Sequence, residues 1–269
     1  MNDNLNELVE ENPSVTTELP TETFSKFFSI MNLISKICTD MTIKEGVVRQ
    51  YSDRRHAIFN IDLSDILGDI TLYLSGVASK VDLLDPFKKQ GVSVKLEETE
   101  PGSTTGFYIF KDDYSKIEFQ KPLERYLNNK YMSQDELTNR LSIDEDGHIF
   151  EYQISKFLLE RLTALQKGLG ASIVKLSFRD GKAHFIVTAG DKTSTITTVG
   201  RLLTIDNLER DIVGDCVFPI QPFLLGGDNV TIKGFFRGNG DTVLLKLNST
   251  VEDVPVDMWC IAHLVGEDV

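Results

Sequence analysis

The sequence is poor in the features that mark specialised chains. No apolar run approaches the ~20 residues that a membrane-spanning helix needs, which excludes a helical membrane anchor within it. Cysteine is scarce, three in 269 residues. Cys38, Cys216 and Cys260 stand far apart in apolar surroundings, which excludes a disulfide framework and reads as reduced core thiols of an intracellular protein. His56, His148, His184 and His263 lie singly, without metal-ligand spacing. No Gly-x-x-x-x-Gly-Lys-Ser/Thr stretch is present to cradle a phosphate, and no nucleophile elbow occurs. Asp112-Asp113 reads as a solvated turn rather than a metal site. An enzyme reading therefore has no positive support, and no cofactor is expected. Positive charge is also short: 28 Lys and Arg against 41 Asp and Glu, a formal net charge of −13. That argues against nucleic acid spread over the outer surface but leaves room for a local basic face.

What is present is a pattern that occurs twice. Residues 154–169 read as a helix with Leu158, Leu162, Leu165 and Leu169 at helical spacing. A hairpin follows, with strands at 172–178 and 183–187 around Arg179-Asp180-Gly181-Lys182, where Asp-Gly suits a tight turn. Earlier, residues 24–37 read as a helix with Phe24, Phe27, Phe28, Met31 and Ile34 on one face. A strand at 38–43, a Lys44-Glu45-Gly46 turn and a second strand from Val47 come next. Ser25-Lys26-Phe27 in the first helix matches Ser155-Lys156-Phe157 in the other, so each half reads as one copy of a helix-plus-hairpin unit.

The chain divides accordingly. Residues 1–21 form an acidic tail, apart from a weak strand candidate at 14–19. A first domain spans 22–120, with further strands at 57–63, 69–74, 92–98, 106–111 and 115–120. Its second helix, 77–89, is strained near its end by Pro86. Residues 121–147 are polar, show no sustained strand pattern and read as a linker. Within them Ser133-Gln134-Asp135-Glu136 is a capping-box candidate for a short helix to about Leu141. The second domain, 148–269, adds strands at 194–199, 202–205, 229–236, 242–248 and 256–264. A short helix is expected at 217–225. Two helices on a mostly antiparallel sheet in each half is an α+β architecture.

This order resembles the DNA sliding clamps. Residues 37–64, from Ile37-Cys38-Thr39-Asp40 to Ser52-Asp53-Arg54-Arg55-His56 and Asp62-Leu63, resemble proliferating cell nuclear antigen (PCNA). Residues 150–205, with Gly168-Leu169 and the hairpin, resemble the clamp of T4-like bacteriophages. The resemblance implies the DNA-clamp fold, two similar domains per chain, and a homotrimeric ring. It implies a processivity factor for DNA replication: the ring encircles double-stranded DNA without reading sequence and tethers a DNA polymerase. A separate ATP-dependent clamp loader would open it, and the setting would be the cytoplasm of a host cell. A monomeric clamp-fold processivity subunit, or an α+β interaction or virion protein with no DNA role, are the alternatives.

Site residues follow from the same resemblance. Lysines on the polar helix faces would line the hole: Lys26, Lys36, Lys80, Lys88, Lys89, Lys156 and Lys167, with Arg161. Phosphate attraction is independent of sequence and permits sliding. A partner peptide would bind between the linker and the loop at 51–56, at Tyr51, His56, Ala57 and Pro255 of Asp253-Val254-Pro255. The strand at 116–120, with Lys116 and Phe119, would pair across subunits with the strand at 194–199, with Thr195 and Thr197.

Overall fold

The computed structural model describes residues 14–89, 93–101, 103, 106–121, 131–190, 196–206, 208–225, 229–237 and 241–265. The first half opens with β1 (Ser14–Leu19) and α1 (Thr21–Ser35). Then come β2 (Met41–Ile43), β3 (Val47–Tyr51), β4 (Ala57–Asp62), α2 (Ser64–Leu67) and β5 (Leu72–Leu74). A broken helical segment follows: α3 (Val77–Lys80), a 3-10 turn (Val81–Leu84) and α4 (Asp85–Lys89). β6 (Val94–Thr99), β7 (Phe107–Lys111) and β8 (Lys116–Gln120) close the half. The expected single helix at 77–89 is thus three short pieces. Pro86 sits in the first turn of α4, where its missing N–H costs nothing.

The connection carries α5 (Gln134–Leu141). The second half runs β9 (Ile143–Ile154), α6 (Lys156–Leu169), β10 (Ile173–Arg179), β11 (Lys182–Gly190), β12 (Ile196–Ile205) and β13 (Gly214–Pro219). It ends with α7 (Gln221–Leu225), β14 (Val230–Arg237), β15 (Thr242–Val251) and β16 (Val254–His263). Two expectations are corrected here. Residues 217–219 are strand, because Cys216 and Phe218 alternate into the core, and the helix begins only after Pro219. The polar linker contains the start of a twelve-residue strand, β9, whose pairing with β14 supplies what its own pattern lacks.

Strand order repeats between halves. β1-β6-β7-β8 in the first corresponds to β9-β14-β15-β16 in the second. β12-β11-β10-β13 is matched by β4 paired with β3, a tight turn into β2, and β2 paired with β5. In that turn Glu45 and Gly46 both have positive φ, as do Asp180 and Gly181 in the later hairpin. A Cβ on Gly46 would stand 2.4 Å from the Gly68 carbonyl oxygen, so the position admits only glycine. The buried Gln50 ties β3 to β2. Its Oε1 accepts from the Thr42 N–H at 2.7 Å and its amide donates to the Asp40 carbonyl at 3.0 Å.

The long helices α1 and α6 pack against the main core. Phe24 and Phe27 of α1 meet Phe110 of β7 at 6.2 and 6.1 Å, and Phe110 meets Phe119 of β8 edge-on at 5.6 Å. Each such ring contributes roughly 1.5–3 kcal/mol on burial. In α6, Leu159 and Leu162 are the buried residues, and Ser155 caps the first turn by accepting from the Leu158 N–H. Leu169, expected on the apolar stripe, is 59% exposed. The matched tripeptides are not equivalent either: Phe27 is buried, whereas Phe157 lies outside the core at 68% exposure. The halves are joined by β4 and β16, with Ala57 opposite Cys260 and Asn60 opposite Asp257, giving one six-stranded sheet β3-β4-β16-β15-β14-β9.

Candidate functional site

The polar faces of the helices carry the basic side chains, but not all are directed alike. Lys36, just after α1, and Lys156, Arg161 and Lys167 of α6 are exposed. Lys26 is half-buried and reaches back to Glu22 at 3.3 Å. Lys80 is turned inward: its Nζ donates to the Glu118 carbonyl of β8 at 2.7 Å and lies over the Phe119 ring. Lys88 lies over the Phe28 ring at 5.4 Å. The Lys89 side chain is outside the described residues.

Between the halves lies a cleft of about 690 Å³. Lys36 and Ile37 border it from the first half with Arg54 and His56, and Val217 and Pro222 border it from the second. Asp53, the acid on this rim, accepts from the Thr39 N–H at 2.7 Å and from its hydroxyl. The rim is therefore basic and the walls mixed. Val217 shows 47% of its surface there.

The residues expected to form one peptide pocket are divided by the structure. His56 opens on this cleft. Ala57 is 1% exposed and faces the main core, so it cannot be a pocket wall; strand alternation presents Ile58 outward instead. Tyr51 packs on the opposite, outer face of the sheet with Ile58 and the linker helix, and the Arg55 and Arg140 guanidinium groups approach its ring. Pro255 is exposed beside the β15–β16 turn.

The expected interface strands are both sheet edges. β8 is the outermost strand of β1-β6-β7-β8, and β12 the outermost of β12-β11-β10-β13. Lys116 is exposed and pairs with Glu118 at 2.8 Å. Phe119 is corrected: its ring is fully buried in its own half, so only its backbone is available at that edge. Thr195 is outside the described residues, as is the side chain of Thr197, whose backbone pairs with Ala189.

Sequence reasoning missed Lys121, which sits directly after β8 and is 6% exposed. Its Nζ donates to the carbonyls of Thr99 and Glu100 at 2.9 and 2.8 Å and pairs with Glu98 at 2.8 Å. A lysine among polar residues gives no sequence signal for burial. Lys80 and Lys121 together pin β8 to its half.

Among the described residues no group of three or more His, Cys, Asp or Glu could hold a metal ion. None of their helices is long and apolar enough to cross a membrane. Burial pushes the Cys216 and Cys260 thiols up to about 12, far from nucleophilic use at neutral pH.

No family model and no curated protein matches the chain in sequence. In structure it is similar to a chain of the PCNA2–PCNA3 complex from Sulfolobus tokodaii, with a TM-score of 0.53. The match covers 92% of this chain and 99% of that one. The fold is that of a PCNA-like sliding clamp. At 12% identity the likeness carries the clamp fold alone.

Proposed function

We propose that this chain is a DNA polymerase processivity factor, a clamp that closes as a homotrimer around duplex DNA. One observation carries the reading. Inside the chain, β4 of one half pairs with β16 of the other. By the repeated strand order, β12 corresponds to β4 and β8 to β16. β8 and β12 are therefore the same two strands left without each other. Pairing β8 of one chain with β12 of the next repeats the internal junction and closes a ring of equivalent halves. It also removes two edges that would otherwise invite aggregation. The exposed Leu169 and Leu83 support this reading. At the internal junction the end of α1 faces α7 across the cleft, and the corresponding arrangement between chains brings the end of α6 opposite the segment that holds Leu83.

Lys26 of α1, Lys36 just after it and the exposed basic groups of α6 then face the DNA, on a chain whose net charge of −13 keeps duplex off other surfaces. The cleft between halves, with Lys36, Arg54 and His56 at its rim, takes an apolar, acidic segment of the polymerase. A separate ATP-dependent loader opens the ring. Light scattering tests the reading: the expected mass is three times the 30.2 kDa of one chain. Retention on nicked circular DNA but not on linear DNA is the companion result. A monomer at micromolar concentration, with equal retention on both, overturns the ring.

A further inference from the structure

The two free edges, β8 and β12, carry a charge pattern whose meaning depends on register, and the repeat within the chain supplies that register. Leu19 of β1 and Ile154 of β9 each stand two residues before a long helix. They pair with Val94 of β6 and Val230 of β14. Counting on across the ladders, Lys95–Lys111–Lys116 in the first half matches Thr231–Asn248–Asp257 in the second. Lys116 therefore holds the place of Asp257, and Ile117 that of Met258. On the other side the turns Glu45-Gly46 and Asp180-Gly181 correspond. Asn60 opposite Arg49 then matches Thr204 opposite His184, and Phe59 opposite Gln50 matches Leu203 opposite Phe185. At the internal junction Asp257 faces Asn60 and Met258 faces Phe59. The same register between chains would set Lys116 opposite Thr204 and Ile117 opposite Leu203. Next along β12 is a bulge: Phe185 pairs with Leu203 but Ile186 with Arg201. Leu202 and Arg201 together would then face Glu118.

In this register both rows match. Ile117 and Leu203 each pack on the main core of their own half, so apolar meets apolar. On the outward row Asp206 lies diagonal to Lys116, within the ~7–8 Å over which long side chains interact across strands, and Arg201 faces Glu118. Within one chain Lys116 turns back to Glu118 at 2.8 Å and Lys182 holds Asp206 at 2.7 Å. Joining the edges gives a row of alternating sign: Lys182, Asp206, Lys116, Glu118, Arg201. A one-residue slip would turn Lys116 to the core, and a two-residue slip towards Arg201 would set like charges together.

We propose that these charges choose the partner: Lys116 and Glu118 of one chain select Asp206 and Arg201 of a second copy and fix the register in which the edges join. The inference rests on the clamp reading and adds which residues decide the closure. Light scattering on the full-length chain tests it. Glu118→Lys and Arg201→Glu are each expected to lower the mass from three times 30.2 kDa to that of one chain. The double variant Glu118→Lys/Arg201→Glu restores opposite signs and regains the trimer. Lys116→Glu, Asp206→Lys and their double repeat the test at the other pair and cover a variant that fails to fold. Lys116, Arg201 and Asp206 are exposed in the single chain, so circular dichroism of their variants should match the wild type. Single variants that remain trimeric overturn the selection and leave the ring standing, as do doubles that stay dissociated. A monomeric wild type overturns the ring itself.

Discussion

At the scale of single residues, the structure places chemistry where composition hides it. Lys121 is a buried ammonium with three oxygen partners at the end of an edge strand. Lys121→Ala strands the Glu98 carboxylate and two carbonyls, and should cost about 3 kcal/mol in urea unfolding. Lys80→Ala, whose side chain is half-buried and grips one carbonyl, should cost about 1 kcal/mol. An effect of Lys121→Ala no larger than that of Lys80→Ala would remove the pinning role. The cysteines make a second case. Burial holds the Cys216 and Cys260 thiols up near 12, so iodoacetamide at pH 8 should leave both unmodified in native protein and label both in urea. Mass spectrometry of the native sample showing either one alkylated would contradict that burial.

At the scale of elements, β13 is held to β10 by an ionic contact as well as a ladder. Asp215 pairs with Lys175 at 2.6 Å and Arg179 at 3.4 Å. Burial pushes its carboxyl upward, but hydrogen bonds from Lys175 and Ser177 and the two positive charges outweigh this, and the folded pKa lies below the ordinary value. A lowered folded pKa gives stability that is full above the unfolded value, near 3.9, and is lost as pH falls through the folded one. Asp215→Asn should therefore destabilise by about 1 kcal/mol at pH 7. The gap from wild type should close below about pH 4. A gap that stays constant with pH would assign the loss to packing instead.

At the scale of the whole molecule, the proposed clamp role is tested at four lysines. Lys26, Lys36, Lys156 and Lys167 stand on the helix side of the sheets, away from the outer face that α5 covers. Changing all four to alanine should leave the melting temperature within a few degrees, since three are exposed and Lys26 makes only a surface pair with the exposed Glu22, and such charges contribute little to folding. Retention on nicked circular DNA, with loader present, should fall for every sequence alike, and added salt should mimic the loss in the wild type. Equal retention of wild type and variant at low salt would take the DNA role from these residues. A drop for some sequences and not others would point to base contacts instead.

The sequence alone determined what is local. Hairpin turns were legible at Glu45-Gly46 and Asp180-Gly181, because positive φ limits the residues that fit. The capping box at Ser133 was legible too: its hydroxyl accepts from the Glu136 N–H at 3.1 Å. The two long helices and most strands followed from periodicity. Tertiary structure decided everything that depends on which face meets what. Ala57 and Ile58 are equally apolar in sequence, yet one enters the main core and the other the cluster on the outer face, because pairing with β16 fixes the parity of β4. Lys80 and Lys36 are equally polar, yet one is bound to a carbonyl of β8 and the other borders the cleft. Phe119 was legible as strand but not as core, and β9 is a strand only because β14 lies beside it. The junction of β4 with β16 pairs residues about two hundred positions apart in the chain. No local pattern encodes such a partner; only the burial of two sheet faces at once selects it.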